Sequence, residues 1–209
     1  YMEIFLCGVR VILEPLSVNH GPISKTCMVE IMTSHTSVTG IKIFQPSPKS
    51  TVGALLPLYV AEPALWQQPD ASGRQWAFVA ESLRELRHDL AQRGQPLVIR
   101  VGRVVEVLEA LRDRFGPLTL WSHQETGNAW TYARDLEVGA WAREHGVAWH
   151  EARQQGVTRR LRSRNGWARD WDRLMAAPCV DPPPRLSCLH VAPGEVPDAA
   201  ELGLGADPC

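Results

Sequence analysis

The sequence predicts a doubly wound α/β domain, with a mostly parallel sheet and helices on both of its faces. From residue 53 onward, short apolar runs alternate with longer segments of helical periodicity. The short runs are apolar at nearly every position, as in strands that are covered on both faces. Since strands that are joined through helices lie parallel, this alternation indicates a parallel sheet with right-handed crossovers.

The first half of this pattern contains two strands and two helices. ALLPLYVAEP is predicted as a buried strand, and SGRQWAFVAESLRELRHDLAQRG as a long helix that ends at Gly94. PLVIRVG is the second strand, and RVVEVLEALRDRFG is an amphipathic helix that is again closed by a glycine. Apolar side chains recur every three or four residues in both helices, which predicts that each buries one face.

The second half repeats the same order. PLTLWSHQE is the third strand and VAWHEA is the fourth. Between them lies the predicted helix GNAWTYARDLEVGAWAREHG, with Asn128 as its N-cap and Gly146 as its stop. An arginine-rich stretch and the tryptophan-bearing segment WARDWDRLM follow, and a proline-rich tail over residues 179–209 is predicted to be an extended linker.

The composition is that of an ordinary soluble protein. The chain has 209 residues, 44 % hydrophobic and 22 % charged, with a net charge of −1, so no global field attracts nucleic acid. No secretory signal is visible in the sequence and no apolar run reaches the ~20 residues that span a bilayer, so neither a signal nor a membrane span is expected. Its five cysteines form no CxxC pair, which argues against a disulfide framework and a zinc site and for the cytoplasm. His145 and His150 have no third ligand at metal-binding spacing, so no metal is expected.

Residues 1–50 differ in composition from the remainder. All three lysines lie there, whereas the chain after Lys49 has 18 arginines and no lysine. All eight tryptophans lie at or after Trp66. This contrast indicates a different history for residues 1–50, through a misread start, a frameshift or a fused segment. Two apolar runs in this part, EIFLCGVRVIL and GIKIF, are β-prone.

The polar stretch SHQETGN stands where the third strand ends, which is where open α/β sheets bind ligands. Neither GxGxxG nor GxxxxGK[ST] is present, which disfavours a dinucleotide site and a P-loop. His123 and Glu125 either contact a ligand there, or Glu125 complements the positive end of the next helix and His123 closes a turn. Arg134 and Asp135 either orient a cofactor or form hydrogen bonds that stabilise the fold.

Several longer motifs resemble those of one protein family. They are LYVAEP, RQWAF and the run from ETGNAWTYARD to GWARDW. Together they resemble the N-terminal α/β domain of bacterial DNA photolyases and cryptochromes. The resemblance predicts an unmatched segment at 1–50, the α/β domain at 51–178 and an interdomain linker at 179–209.

The resemblance implies a two-domain flavoprotein in which a separate helical domain holds FAD and the DNA groove. Light-driven electron transfer from FAD then splits pyrimidine dimers. That domain is expected to be missing or supplied by a separate chain, so no catalytic residue is assigned here and DNA would be contacted only through it.

The resemblance also implies an antenna chromophore in a cleft of the α/β domain. The tentative cleft residues in this chain are His123, Glu125, Asn128, Trp130 and Arg134. Folate-binding relatives carry an Asn-Glu pair just before the Arg-Ala-Arg-Asp-like run. Trp130 and Thr131 stand at those positions here, so the match to folate is doubtful and the chromophore is left open.

Other interpretations come from different classes. Residues 153–173 alternate arginines with tryptophans, which suits a nucleic-acid surface, although packing and ion pairing are favoured. The chain is alternatively a non-catalytic module that binds a nucleotide or a partner protein, or a truncated product without function. A lost first strand would expose sheet edges and favour self-association, unless an N-terminal run, preferably GIKIF, replaces it.

Overall fold

A five-stranded sheet with the order β3–β2–β1–β4–β5 forms the centre of the domain in the computed structural model, which describes residues 10–13, 54–153, 157–176 and 184–205. The strands are β1 (Arg10–Leu13), β2 (Ala54–Ala61), β3 (Val98–Val101), β4 (Leu118–His123) and β5 (Ala148–Ala152). The helices are α1 (Pro63–Trp66), α2 (Gly73–Gln92), α3 (Val104–Phe115), α4 (Ala129–Glu144) and α5 (Trp167–Met175).

The four predicted strands and three predicted helices are present, and the predicted fold class is confirmed. β2 pairs parallel with β3, and β4 pairs parallel with β5. Every residue of β2 after the first is buried, as expected for a strand that is covered on both faces. β3, β4 and β5 are only partly buried, so among these four strands the continuous burial holds for β2 alone.

β1 lies between β2 and β4 and runs antiparallel to both. Leu13 pairs with Ala54 on one side and with Leu118 on the other. This corrects the preference for GIKIF as the replacement strand, because the first N-terminal run occupies the position instead. The physical reason is that the facing edges of β2 and β4 need backbone partners, and an extended segment satisfies them in either direction. Residues 40–44 lie outside the described residues.

One face of the sheet packs against α3 and α4. Its core is formed by alternate residues of the strands and by the inward faces of these helices. The fully buried members include Leu56, Val98, Leu108 and Leu120. α3 and α4 thereby cover the face to which these side chains point.

α2 packs against the other face, over β2 and β3. Trp76, Val79 and Leu83 contact Tyr59 and Ile99 there. The helix starts at its N-cap Ser72, whose hydroxyl accepts a hydrogen bond from the backbone N–H of Gln75 at 3.3 Å. Gly94, at a φ of +108°, follows the helix and allows the sharp turn into β3.

Residues 184–205, the C-terminal strap, pack along the outer edge of β3. The carbonyl of Pro193 accepts a hydrogen bond from the N–H of Ile99 at 2.7 Å, and the carbonyl of Pro197 accepts one from the Trp76 indole at 3.0 Å. The side chain of Leu202 is fully buried, and Val191 is buried as well. The strap therefore belongs to both cores of the domain, while its predicted role as a connection to a further domain stays a prediction.

α5 differs from the other long helices because none of its residues is buried. The indoles of Trp167 and Trp171 stack on each other on its surface, with ring centroids 6.1 Å apart. No helix within the described ranges is both long enough and apolar enough to cross a lipid bilayer.

Candidate functional site

The elbow, residues 122–128, connects the carboxyl end of β4 to the start of α4. The predicted N-cap is confirmed: the Asn128 side-chain oxygen accepts a hydrogen bond from the N–H of Thr131 at 3.0 Å. The Asn128 amide also donates to both carboxylate oxygens of Asp70, at 3.1 and 3.3 Å, and so ties the elbow to the loop between α1 and α2. The elbow is thus held in place at Asn128, where it joins α4.

Glu125 folds back onto the elbow itself. Its Oε1 accepts hydrogen bonds from the N–H groups of Thr126 and Gly127, both at 2.9 Å. A Cβ atom on Gly127 would lie 3.1 Å from this carboxylate oxygen and 3.1 Å from the Thr131 hydroxyl, so any other residue would require both side chains to shift by a few tenths of an ångström. Glu125 therefore closes a turn before the helix, a role that the sequence analysis gave to His123.

Arg134 lies at the centre of a buried ion cluster behind the elbow. Its guanidinium donates to Glu62 at 3.1 Å and to Asp135 at 3.0 Å, and it lies 3.7 Å from Glu125. The side chains of Arg134 and Glu62 are both 6 % exposed. A buried arginine with several carboxylate partners holds their positions in a fixed geometry.

Glu62 links three elements of the fold. It follows β2, it accepts a hydrogen bond from the N–H of Val104 at the start of α3 at 3.1 Å, and it pairs with Arg134 of α4. Burial raises its pKa above the ordinary glutamate value, while Arg134 and the N–H of Val104 act to lower it. The sequence analysis assigned no site role to Glu62, although it noted the Glu-Pro pair in which this residue stands.

Arg159 joins the same cluster from the segment after β5. It donates to the carbonyl oxygen of Glu125 and to the carboxylates of Asp135 and Glu151, the last at 2.8 Å. Burial raises the pKa of Glu151, and Arg159 opposes that shift. The sequence offered no specific signal for Arg159, which is one of many arginines in its segment.

His123 lies in the elbow and Trp130 follows it in the first turn of α4, and both are half-buried. The Trp130 ring centroid lies 6.0 Å from the guanidinium carbon of Arg134, at the limit of a cation–π contact. The five predicted cleft residues therefore lie close together, on the elbow and in the first turns of α4. Their ligand contacts stay a prediction, and Glu125 and Arg134 are engaged in internal contacts.

The two histidines that were considered as metal ligands, His145 and His150, contact different residues. His145 interacts with the backbone oxygen of Trp141 at 2.9 Å, whereas His150 stacks on Trp121 with centroids 4.1 Å apart. Among the residues that the structure describes, no group of three or more His, Cys, Asp or Glu side chains is arranged to hold a metal ion. The carboxylates behind the elbow are instead paired with Arg134 and Arg159.

Comparison with known proteins identifies the family. The sequence profile described as DNA photolyase matches residues 49–164, more than half of the chain. The chain is 34 % identical over 83 residues to the chloroplastic/mitochondrial cryptochrome DASH of Arabidopsis thaliana. The aligned stretch covers 37 % of this chain and 15 % of that protein.

The fold is similar to solved photolyases. A bacterial class III photolyase from Agrobacterium tumefaciens superposes with a TM-score of 0.51 at 22 % identity, over 67 % of this chain and 30 % of that one. An archaeal photolyase from Sulfolobus tokodaii gives 0.47 at 17 % identity, over 68 % of this chain and 33 % of that one.

The sheet and the helices on both of its faces define a doubly wound α/β domain, and its buried ion cluster lies at the carboxyl ends of the strands. More specifically, this chain belongs to the DNA photolyase family and corresponds to its N-terminal α/β domain. It spans less than a third of the length of the Arabidopsis relative and of the Agrobacterium structure.

Proposed function

We propose that this domain binds a planar antenna chromophore beside the elbow and supports an FAD-bearing helical domain in light-driven chemistry. The observation that carries the proposal is the buried ion cluster of Glu62, Arg134 and Asp135 directly behind the predicted cleft. Such a cluster costs desolvation energy and adds little net stability, so its value lies in fixed geometry at the strand ends.

The proposed contacts divide into two groups. Trp130 offers an aromatic surface for stacking, and His123 and Asn128 offer polar groups beside it. Glu125 and Arg134 act as positioning residues, because their polar atoms are engaged by Thr126, Gly127, Glu62 and Asp135. The bound chromophore would supply light absorption, while the chain supplies its orientation and a rigid surrounding.

The chemistry of the elbow disfavours a folate. Thr131 is buried, its hydroxyl donates to the carbonyl oxygen of Asn128 at 2.9 Å, and its N–H is bound by the Asn128 side chain. No carboxylate therefore stands at this position to accept hydrogen bonds from a pterin. A flavin-type ring that stacks on Trp130 fits these residues better.

Repair of DNA is proposed only for an assembly that includes the FAD-bearing domain. A cytoplasmic location is part of the same proposal and follows from the cysteine pattern.

The test is an absorption spectrum of residues 1–209, purified in the dark and, if colourless, titrated with FMN and with a methenyl-folate. We expect a near-ultraviolet or blue band that survives gel filtration and is released on denaturation. Trp130→Ala should weaken FMN binding about tenfold, as expected for the loss of one stacking contact. Trp167→Ala, which removes an indole far along the chain, is the matched control. A folded protein that binds neither probe would overturn the antenna proposal.

A further inference from the structure

α4 carries an apolar stripe on the side that faces away from the sheet. Its inward side buries Val138, Trp141 and Ala142 in the core. On the outward side, Tyr132 is 43 % exposed and Leu136 is 52 % exposed. Exposed alanines continue the stripe at positions 129, 133 and 140. These five residues form what we call the outer stripe of α4.

The exposed positions of α2 and α3 are, by contrast, mostly charged or polar. Glu81, Arg84 and Glu85 lie on the outside of α2, and Glu106 and Arg114 lie on the outside of α3. Such helices bury one face and leave the other to water. A helix that is apolar on both faces is typical of one that is covered on both, yet among the described residues the outer stripe stays exposed.

The outer stripe has the spacing of a coiled-coil seam. The positions of Ala129, Ala133, Leu136 and Ala140 are separated by four, three and four residues, as the core positions of a heptad are. The alanines let another helix approach closely, and Leu136 supplies the large side chain of the seam. The stripe therefore fits a second helix with the same spacing, and α4 of another copy of this chain has it.

The two flanks of the stripe carry opposite charges. Glu137 and Glu144 lie exposed on one flank. On the other flank, Arg160 donates a hydrogen bond to the Tyr132 hydroxyl at 3.3 Å, which places its guanidinium beside the stripe. Glu137 also pairs with Arg103 at 3.0 Å, but both side chains are more than half exposed, so this ion pair is weak and leaves the carboxylate open to a second cation.

We propose that the outer stripe is a dimer interface, on which α4 of a second copy packs in parallel about a two-fold axis. In a parallel pair, the residue before one core position faces the residue five positions later on the partner helix. Tyr132 and Glu137 have this separation, so Arg160 beside Tyr132 meets the partner's Glu137, and the two-fold axis repeats the contact. An antiparallel pair would bring each flank against its own charge, which disfavours it.

The size of the stripe predicts a weak dimer. Its four core positions extend over about 17 Å of helix, so the interface is smaller than the roughly 1,600 Å² that stable complexes bury. We therefore expect a dissociation constant of about 10⁻⁵ M. This surface differs from the sheet edges on which the sequence-based expectation of self-association rested, and it needs no chromophore at the elbow.

The test is sedimentation velocity of residues 1–209 in reducing buffer, from about 1 to about 200 µM, a range that brackets the expected dissociation constant. Leu136→Glu places two carboxylates opposite each other in the seam and should weaken the dimer at least about 100-fold. The matched control is Phe78→Glu, which makes the same kind of change at a residue of α2 that is 49 % exposed, and it should leave the dimer unchanged.

A charge exchange tests the contact between the flanks. Arg160→Glu should weaken the dimer about fivefold, because it brings two carboxylates together across the interface. Arg160→Glu combined with Glu137→Arg restores opposite charges in both copies and should recover most of the loss. Failure of the double variant to recover any affinity would contradict the proposed contact.

Cysteine cross-linking tests the parallel direction. In a parallel pair, each core position faces itself, so Ala129→Cys and Ala140→Cys should each form a disulfide-linked dimer on oxidation. The unchanged chain, oxidised in the same way, gives the background from the native cysteines. Cross-linking only in a mixture of the two variants would show an antiparallel pair and overturn the proposal.

A chain that stays monomeric at about 200 µM would also overturn the proposal, since the stripe would then belong to another partner such as a helical domain. A dimer that Leu136→Glu leaves intact would do the same, because it would form through another surface, such as the edge of β5. Loss of the dimer in Leu136→Glu alone, with cross-links in each cysteine variant by itself, would support it.

Discussion

The C-terminal strap and the segment that carries α5 contrast in how they use their apolar residues. The strap has little periodicity and many prolines, yet it buries Val191 and Leu202. α5 has the regular spacing of an amphipathic helix, yet it buries nothing within the described structure. In these two segments, regular apolar spacing therefore does not predict which one is buried.

The difference lies in the surface that each segment meets. β3 is an edge strand, and its free N–H groups need partners. The strap supplies the Pro193 carbonyl to Ile99 and places Leu189, Val191 and Leu202 at the margins of the two cores. The segment with α5 is attached through charged groups instead, since Arg159 reaches the elbow cluster.

Removal of the strap is expected to have the largest effect. A chain that ends at residue 183 loses Val191 and Leu202 from the cores and the acceptor for the Trp76 indole. We expect loss of the cooperative urea transition measured by far-ultraviolet circular dichroism. The control replaces Trp167, Trp171 and Leu174 with alanine, which should change stability by less than about 1 kcal/mol. A truncated chain with an unchanged midpoint would show that the strap is only a tether.

Arg134→Met tests the charged attachment. Loss of one partner of a buried ion cluster should cost about 3–5 kcal/mol at neutral pH, because Glu62 loses its charged partner and Asp135 keeps only Arg159. The pKa of Glu62, already raised by burial, would rise further in the folded variant. In the variant, Glu62 therefore binds its proton more tightly in the folded state than in the unfolded state. This stabilises the folded state at low pH, and the stabilisation is lost as the pH rises above the ordinary glutamate pKa of about 4.3.

The free energy of unfolding that Arg134→Met loses should therefore be smaller near pH 5 than at pH 7, as urea unfolding at both pH values would show. Arg143→Met, at an exposed position on the same helix, should change stability by no more than about 0.5 kcal/mol. An equal deficit at both pH values would contradict the assignment of the cost to the carboxylates.

A comparison of Leu202→Ala with Leu174→Ala is expected to give the smallest effect on stability, and it compares the two segments directly. The first removes a fully buried side chain and should cost about 2–5 kcal/mol. The second removes the same atoms from α5, where the leucine is half-buried, and should cost at most about 1 kcal/mol. Similar costs for the two leucines would mean that α5 contributes to the core as much as the strap does.

The periodicity of the sequence was sufficient for the regular part of the fold. The helices over 73–92 and 104–115 follow from apolar spacing, and the helix over 129–144 follows from its N-cap Asn128 and its stop at Gly146, which act within a few residues. The position of β1 between β2 and β4, antiparallel to both, could not be predicted from periodicity. Nothing local decides which extended run pairs with two strands that are distant in the chain.

The elbow was predicted as a site because the end of a parallel strand is recognisable in the sequence. The N-cap of Asn128 was predicted for the same local reason and is confirmed. Glu62 and Arg159 were missed, since they reach the cluster from positions 72 and 24 residues away from their partners Arg134 and Asp135. Charged residues of this kind are common along the chain, and only their convergence distinguishes them.

The sequence by itself determined the order of strands and helices, the caps and the location of the elbow, since these depend on interactions between near neighbours in the chain. Its motifs also pointed to the photolyase family. The tertiary structure decided that the tail packs along β3, that residues 10–13 complete the sheet and that α5 presents its tryptophans on the surface. Those outcomes depend on which distant backbone edges and apolar faces meet, and burial against a distant partner leaves no period in the sequence.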